Sequence, residues 1–185
     1  MYPYLRTLFH LQRGKAKPPL EHPFQESILN MRVWPLDIDI FMELNNGRYL
    51  TLMDIGRFEV GTRIGLFKIL KENNWGLMVG GVSSRYRYRL RPFQKFKLHT
   101  RLIYVSDRWF YFHQSFRRGN KMHASCLVRT AVTSKDGIVP TAFVAEKMNI
   151  PDALFDKHNQ PLEWIETWEA SDDIHKKVME EDLLF

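Results

Sequence analysis

Cysteine is nearly absent: Cys126 is the single one in 185 residues. That excludes a disulfide framework within the chain, and a lone Cys in a strand-like block reads as an inert core residue of a protein kept in a reducing compartment. Long apolar runs are missing too. Stretches such as "RLIYV" and "RWFYF" fall far short of the ~20 residues a membrane-spanning helix requires, so no integral membrane segment is expected. The opening "MYPYLRTLFHLQRGKAKPPL" has no basic start, unbroken apolar centre or small-residue cleavage site, so a cytoplasmic location is expected rather than export. Also lacking are a Ser nucleophile elbow, a Gly-rich phosphate loop and a dinucleotide fingerprint; "VGG" does not have their spacing. The histidines His10, His22, His99, His113, His123, His158 and His175 show no metal-ligand spacing and no Cys partner. Neither a metal nor a redox cofactor is expected.

What is present is enough hydrophobic and aromatic sequence, 44% and 14%, for one packed domain. The net charge of +6 hides a split. Residues 1–150 carry 24 Lys and Arg against 11 Asp and Glu, whereas residues 151–185 carry 3 against 10. The body is basic and the tail acidic. Such a body attracts anions, whether nucleic acid, phosphate-bearing cofactors or anionic membrane.

The hydrophobic period changes along the chain. "YLRTLFHLQ" places Leu5, Leu8, Phe9 and Gln12 at helical spacing, and the proline-rich "RGKAKPPLEHP" breaks it. This reads as a short basic amphipathic helix and a linker, packed on the body or a partner subunit, or lying on a membrane surface. "SILNMRVW" alternates as a strand that Pro35 ends. A long helix is predicted from about Gly47, with Asn45 or Asn46 as its N-cap and a break between Gly61 and Gly65. Four strand-like blocks follow between residues 80 and 137, predicting an antiparallel meander. "VPTAFVAEKMNI" reads as a short helix, and the remainder as a mixed helical tail. The class expected is α+β, with a sheet wrapped around one long helix. The aromatic "RWFYFHQSF" suggests that the other sheet face meets a second subunit.

In "SRYRYRLRP", Arg85, Arg87, Arg89 and Arg91 fall on one strand face and Tyr86, Tyr88 and Leu90 on the other. Single-stranded nucleic acid is held where aromatics and cations share a face, so this segregation argues against it. The remaining feature is "DIDIFMELNNGRY", a connector with three carboxylates and an Asn pair. These residues either close turns and cap the helix or perform chemistry: unpaired N–H groups at a helix start polarise a carbonyl, which a nearby carboxylate attacks directly or through water.

"RVWPLDIDIFMELNNGRYLTLMDIGR" followed by "YRYRLRPFQKFKLHTRLIYVSDRWFYFHQSF" resembles the hotdog-fold thioesterases of the 4-hydroxybenzoyl-CoA thioesterase-like superfamily, over roughly residues 26–150. The resemblance implies a single hotdog domain at 26–150, between an N-terminal basic helix and linker at 1–25 and an acidic extension at 151–185. It implies an acyl-CoA or acyl-carrier thioester as substrate, coenzyme A entering only as part of it, and a homodimer, or a tetramer built from it, with sites at the dimer interface. Asp39 takes the place of the catalytic carboxylate, as nucleophile or general base, and Asn46 a positioning role. Tyr49 and Met53 would line the acyl pocket, and Arg89 and Arg91 would attract the phosphates of coenzyme A. Asp54 stands where another branch keeps its catalytic acid, although an i,i+3 pair with Arg57 explains it equally. One departure stands out: where many relatives have Gly-His, this chain has Met42 and Glu43. Glu43 faces solvent, couples to Asp39, or marks a site that has lost efficient catalysis, leaving a non-catalytic acyl-binding or assembly protein on the same fold.

Overall fold

A computed structural model describes residues 2–181. Helix α1, Tyr4–Lys15, leads through the proline-rich linker to strand β1, Ser27–Arg32, and a 3-10 turn at Pro35–Asp37. Helix α2, Asn46–Arg63, is followed by α3, Leu66–Glu72. Strands β2, Gly76–Tyr86, β3, Lys95–Val105, β4, Phe110–Arg118, β5, Lys121–Ser134, and the two-residue β6, Gly137–Ile138, complete the sheet. Helices α4, Thr141–Lys147, α5, Asp152–His158, and α6, Glu163–Glu181, end the described chain. The last residues of the acidic extension, 182–185, lie outside the described residues, as does Met1.

The α2–α3 break falls where the glycines predict it. Gly65 has φ +79°, a left-handed conformation that only glycine adopts without strain, and the chain restarts a new helix from it. The sheet curls around α2. Leu98, Phe116, Cys126 and Val128 pack inward against Leu52, Met53 and Ile55 in one apolar cluster. At Gly56 the helix lies so close to the sheet that a Cβ would stand 2.4 Å from Thr100 Oγ1 and 2.9 Å from Gln114 Nε2.

Strand order departs from the predicted four-strand meander. The sheet runs β1-β3-β4-β5-β2, all neighbours antiparallel, so β2 pairs with β5 at the far edge instead of with β3. Both edges of β3 are already taken by β1 and β4. The eight residues 87–94 span the end of the sheet between β2 and β3; at ~3.3 Å each they easily cross three strand spacings of ~4.8 Å. The arginine alternation therefore does not continue as strand. β2 ends at Tyr86, the Arg87 and Tyr88 N–H groups both turn to the His123 carbonyl, and the Leu44 N–H donates to the Leu90 carbonyl. Arg89 and Arg91 sit on this connection rather than on a strand end.

The outer face of the sheet also differs from expectation. Where the aromatics of β4 suggest a second subunit, the chain's own acidic α6 lies over them: Tyr111, Leu127 and Ile165 are fully buried together, with Trp109 and Trp168 packed alongside. Gly80 and Gly81 leave the space these indoles occupy. The Arg129 guanidinium lies between Trp109 and Trp168, 4.7 and 5.4 Å from the ring centres, and pairs with Asp172. The tail docks by burying Ile165 and Trp168 on this face, and Asp172 meets the cation stacked between the two indoles.

Candidate active site

The connector between β1 and α2 is a closed loop. Ile38 and Leu44 form an isolated antiparallel bridge, the Asp39 N–H donates to the Glu43 carbonyl at 2.9 Å, and the Met42 N–H donates to the Asp39 carbonyl at 3.1 Å. Met42 turns the chain with φ +57°, a conformation a non-glycine residue holds only when its surroundings fix it. Here the fixing group is Asp39 itself. Its Oδ1 accepts from the Phe41 N–H at 2.9 Å and from the Glu43 N–H at 3.4 Å, leaving Oδ2 outside these bonds. Asp39 is half-buried, whereas Ile40, Phe41 and Met42 at the loop tip are exposed.

Asp37 has a different job. It is buried, accepts from the Trp34 N–H at 2.9 Å, and pairs with Arg6 at 2.7 Å and Arg48 at 3.5 Å. That carboxylate joins α1, the 3-10 turn and α2. The cap is likewise settled: the Asn45 side chain accepts from the Gly47 N–H at 2.8 Å, and its carbonyl takes the N–H groups of Arg48 and Tyr49. Asn46 is the first helical residue and is exposed, with its N–H outside this cap.

Glu43 meets a partner that its position in the chain does not announce. Its carboxylate lies 3.3 Å from Arg89, so the residue that departs from the family pattern pairs with a residue expected to attract phosphate. His123 Nδ1 stands 3.1 and 3.2 Å from the carbonyls of Tyr88 and Arg89 and pins the connection that carries Arg89. Arg91 is exposed and its backbone N–H donates to Gln94. Tyr49 is buried between Tyr86 and Phe116, with ring centres 4.9 and 4.7 Å away. Burial pushes its phenol up, with smaller contributions from Tyr86, Cys126 and Glu43; it is a neutral hydroxyl. Met53 is fully buried in the core around α2.

Asp54 lies eight residues beyond Asn46, about 12 Å along the helix. It pairs with Arg57, whose guanidinium also donates to Gln114 Oε1 at 2.6 Å; Gln114 Nε2 in turn donates to the Met53 carbonyl at 3.0 Å and to Thr100 Oγ1 at 2.9 Å. Burial raises the Asp54 carboxyl and Arg57 opposes it. Asp39, Glu43, Asn46 and Arg89 thus gather at the loop and helix start, while Asp54 belongs to a polar tie between α2 and the sheet.

Sequence reasoning missed Gln114, His123 and Glu59. The last is a fully buried carboxylate that accepts from Lys17 at 2.8 Å, Arg63 at 3.3 Å and the Ser27 hydroxyl. A helix-face Glu with Arg four residues on reads as a surface pair; the arrival of the linker buries it. Among the described residues, no group of three or more His, Cys, Asp and Glu is arranged to hold a metal ion.

Known proteins resemble this one in sequence and in fold. The protein THEM6 of Danio rerio is 34% identical over 113 residues, 61% of this chain and 56% of that protein. The protein THEM6 of Xenopus laevis is 31% identical over 113 residues, 61% of this chain and 55% of that protein. The chain spans little more than half the length of these curated relatives. Among solved structures, the DHNA-CoA thioesterase of Staphylococcus aureus superposes with a TM-score of 0.62 at 13% identity, covering 74% of this chain and 97% of that one. YbaW, a probable thioesterase from Escherichia coli, gives 0.60 at 16% identity, covering 65% and 95%. At such identities the superpositions establish the hotdog fold and nothing finer. The pattern of the thioesterase-like superfamily matches residues 33–157, from the end of β1 through the Asp39 loop, α2 and the sheet into α5. The chain belongs to the thioesterase-like superfamily.

Proposed function

We propose that the protein is an acyl-CoA thioesterase, hydrolysing a thioester to a carboxylic acid and a free thiol, with Asp39 as the catalytic carboxylate. The observation that carries this reading is the Asp39 loop: one carboxylate oxygen is anchored by the Phe41 and Glu43 N–H groups, and the other is outside those bonds, just ahead of the capped start of α2. A fixed carboxylate beside a helix N-terminus has the two elements that thioester cleavage needs. Oδ2 attacks the thioester carbonyl carbon, or takes a proton from the water that does. The oxyanion that forms is stabilised by the positive end of α2 and the Asn46 N–H. Collapse breaks the C–S bond and expels the thiolate, which takes a proton derived from water. Where water is the nucleophile this frees the acid directly; where Oδ2 is the nucleophile the acyl group is held as a mixed anhydride with Asp39 that water then hydrolyses, restoring the carboxylate. Arg89 and Arg91 hold the coenzyme A phosphates, whereas Tyr49 and Met53, expected to line the acyl pocket, are closed into the core behind the helix start.

The active unit proposed is a homodimer. β2 is an edge strand eleven residues long with Leu77, Met78 and Val79 exposed, and an apolar edge of that length pairs with another strand or aggregates. Pairing two copies along β2 is the closed solution. The setting proposed for this unit is reducing and cytoplasmic, in keeping with the free Cys126.

Glu43, which stands where many relatives have a histidine and is paired with Arg89, favours a second reading, a non-catalytic acyl-binding protein on the same fold, because a carboxylate there does not supply the neutral hydrogen-bond donor of an imidazole. Turnover of a panel of short, long and aromatic acyl-CoAs separates the two. Wild type should exceed Asp39→Ala by ~100-fold or more on at least one substrate, with the variant still folded and dimeric. Equal rates across the panel would establish the binding protein instead. Glu43→His, which frees Arg89, should raise turnover if Glu43 restrains the site.

A further inference from the structure

Helix α1 is docked with the wrong face outward. Its buried residues are Thr7, His10 and Gly14, while Tyr4, Leu5, Leu8 and Phe9 are exposed, Leu5 at 86% and Phe9 at 52%. An amphipathic helix packed on its own domain buries its apolar stripe. Here the polar side is held instead. Arg6 reaches Asp37 at 2.7 Å and the Arg32 carbonyl at 2.8 Å, Gly14 abuts Glu59, and Lys17 anchors the following linker to Glu59 at 2.8 Å. The apolar stripe is left for something outside the chain.

The same stripe borders a strongly cationic groove of about 1100 Å³. Leu5, Phe9 and Trp34 line it together with Arg32, Lys95, Lys97, Arg117 and Arg118. Among the described residues no Asp or Glu lines the groove. The charges follow from the sheet: Arg32 pairs with Lys95 and Lys97 with Arg117 across neighbouring strands, a juxtaposition of like charges that destabilises the sheet unless an anion lies over it.

We infer that α1 and this groove form a peripheral docking surface for a membrane bearing anionic lipids. The apolar side chains of α1 enter the headgroup boundary while the cations meet lipid phosphates and carboxylates. A second copy of the chain is a poor occupant: a twofold contact through this face would set the groove cations against their own duplicates. Nucleic acid would satisfy the cations but leave Leu5 and Leu8 in water. A membrane satisfies both. The surface lies away from the β2 edge and does not depend on whether Asp39 is catalytic.

The test is sedimentation of the full chain with vesicles of phosphatidylcholine alone and of phosphatidylcholine mixed with phosphatidylserine. Binding should require phosphatidylserine and weaken as salt rises. Replacing Lys95 and Lys97 by Ala should lower partitioning by about fivefold per cation. The double variant Leu5→Asp, Phe9→Asp should lower it at least about tenfold; both side chains are exposed, so its melting temperature should match that of wild type. No partitioning onto either vesicle would overturn the proposal, as would binding that neither double variant weakens. Oligomers that Leu5→Asp disperses would assign the face to a second copy, and vesicle-free binding of duplex DNA that survives the Leu5 and Phe9 changes would assign it to nucleic acid.

Discussion

Replacing Glu59 by Gln should loosen the N-terminal segment from the domain. The carboxylate is fully buried and balances Lys17 and Arg63, at 2.8 and 3.3 Å, while accepting from Ser27. Gln keeps the shape and a Ser27 bond but leaves two cations without their counter-charge. Removing one member of a buried ion pair costs about 3–5 kcal/mol. Lys17 is one-third exposed here, 34%, and turns to water on losing its partner; Arg63, at 12%, does so less easily. The net cost should be about 2–3 kcal/mol, a large share of a domain's total stability and equivalent to a fall of roughly 5–10 °C in melting temperature. Lys17→Met alone should cost about 1 kcal/mol because Arg63 remains, and the double variant should fall short of the sum by about 1 kcal/mol. Urea denaturation of the four proteins measures the cycle, and hydrogen exchange should show α1 amides losing more protection than those of β4 and β5. A loss below about 0.5 kcal/mol for Glu59→Gln, or strict additivity with Lys17→Met, would refute the idea that this buried charge tethers the segment.

Two further outcomes follow from close packing and from titration. Gly56→Ala should destabilise by about 2 kcal/mol or more, because the new methyl meets Thr100 and Gln114 inside hydrogen-bonding distance and breaks the tie to α2; a melting temperature equal to wild type would show that helix and sheet separate freely. His10 is pushed down to about 4 by burial and then by Arg6, Arg13 and Lys17, with Glu59 opposing. It stays neutral when folded but takes a proton near pH 6.5 when unfolded, so its contribution is complete above that pH and is lost as pH falls toward 4, up to about 3 kcal/mol. An imidazole titration by NMR with a midpoint near 6.5 would contradict this, as would an unchanged pH slope in His10→Asn.

Asp54 shows how a family position and a structural role coincide. Through Arg57 and Gln114 it reaches Thr100 on β3. That chain of bonds ties the central helix to the sheet at the place where Gly56 lets them touch. The tie accounts for the acid without assigning it a share in catalysis.

Local chemistry was enough to reveal the order of elements. A period of two before Pro35, helical spacing after Asn45, a break between Gly61 and Gly65 and alternating strands between residues 80 and 137 are properties of neighbours along the chain, and backbone geometry answers to them directly. The Asp39 loop was legible for the same reason, since short carboxylate and amide side chains fold back on their own backbone. Tertiary structure decided what pairs with what. β2 reads as a strand from its own residues, but its bonding to β5 follows from both edges of β3 being filled. Glu43 and Arg89 are far apart in sequence, and the Leu44–Leu90 backbone bond and the hold of His123 on residues 87–89 bring them together. The outward apolar face of α1, the burial of Glu59 and the docking of α6 on Arg129 all depend on which surface arrives from elsewhere in the chain. Periodicity announces that a face is apolar or charged; burial is a property of the whole fold, because it depends on what covers that face.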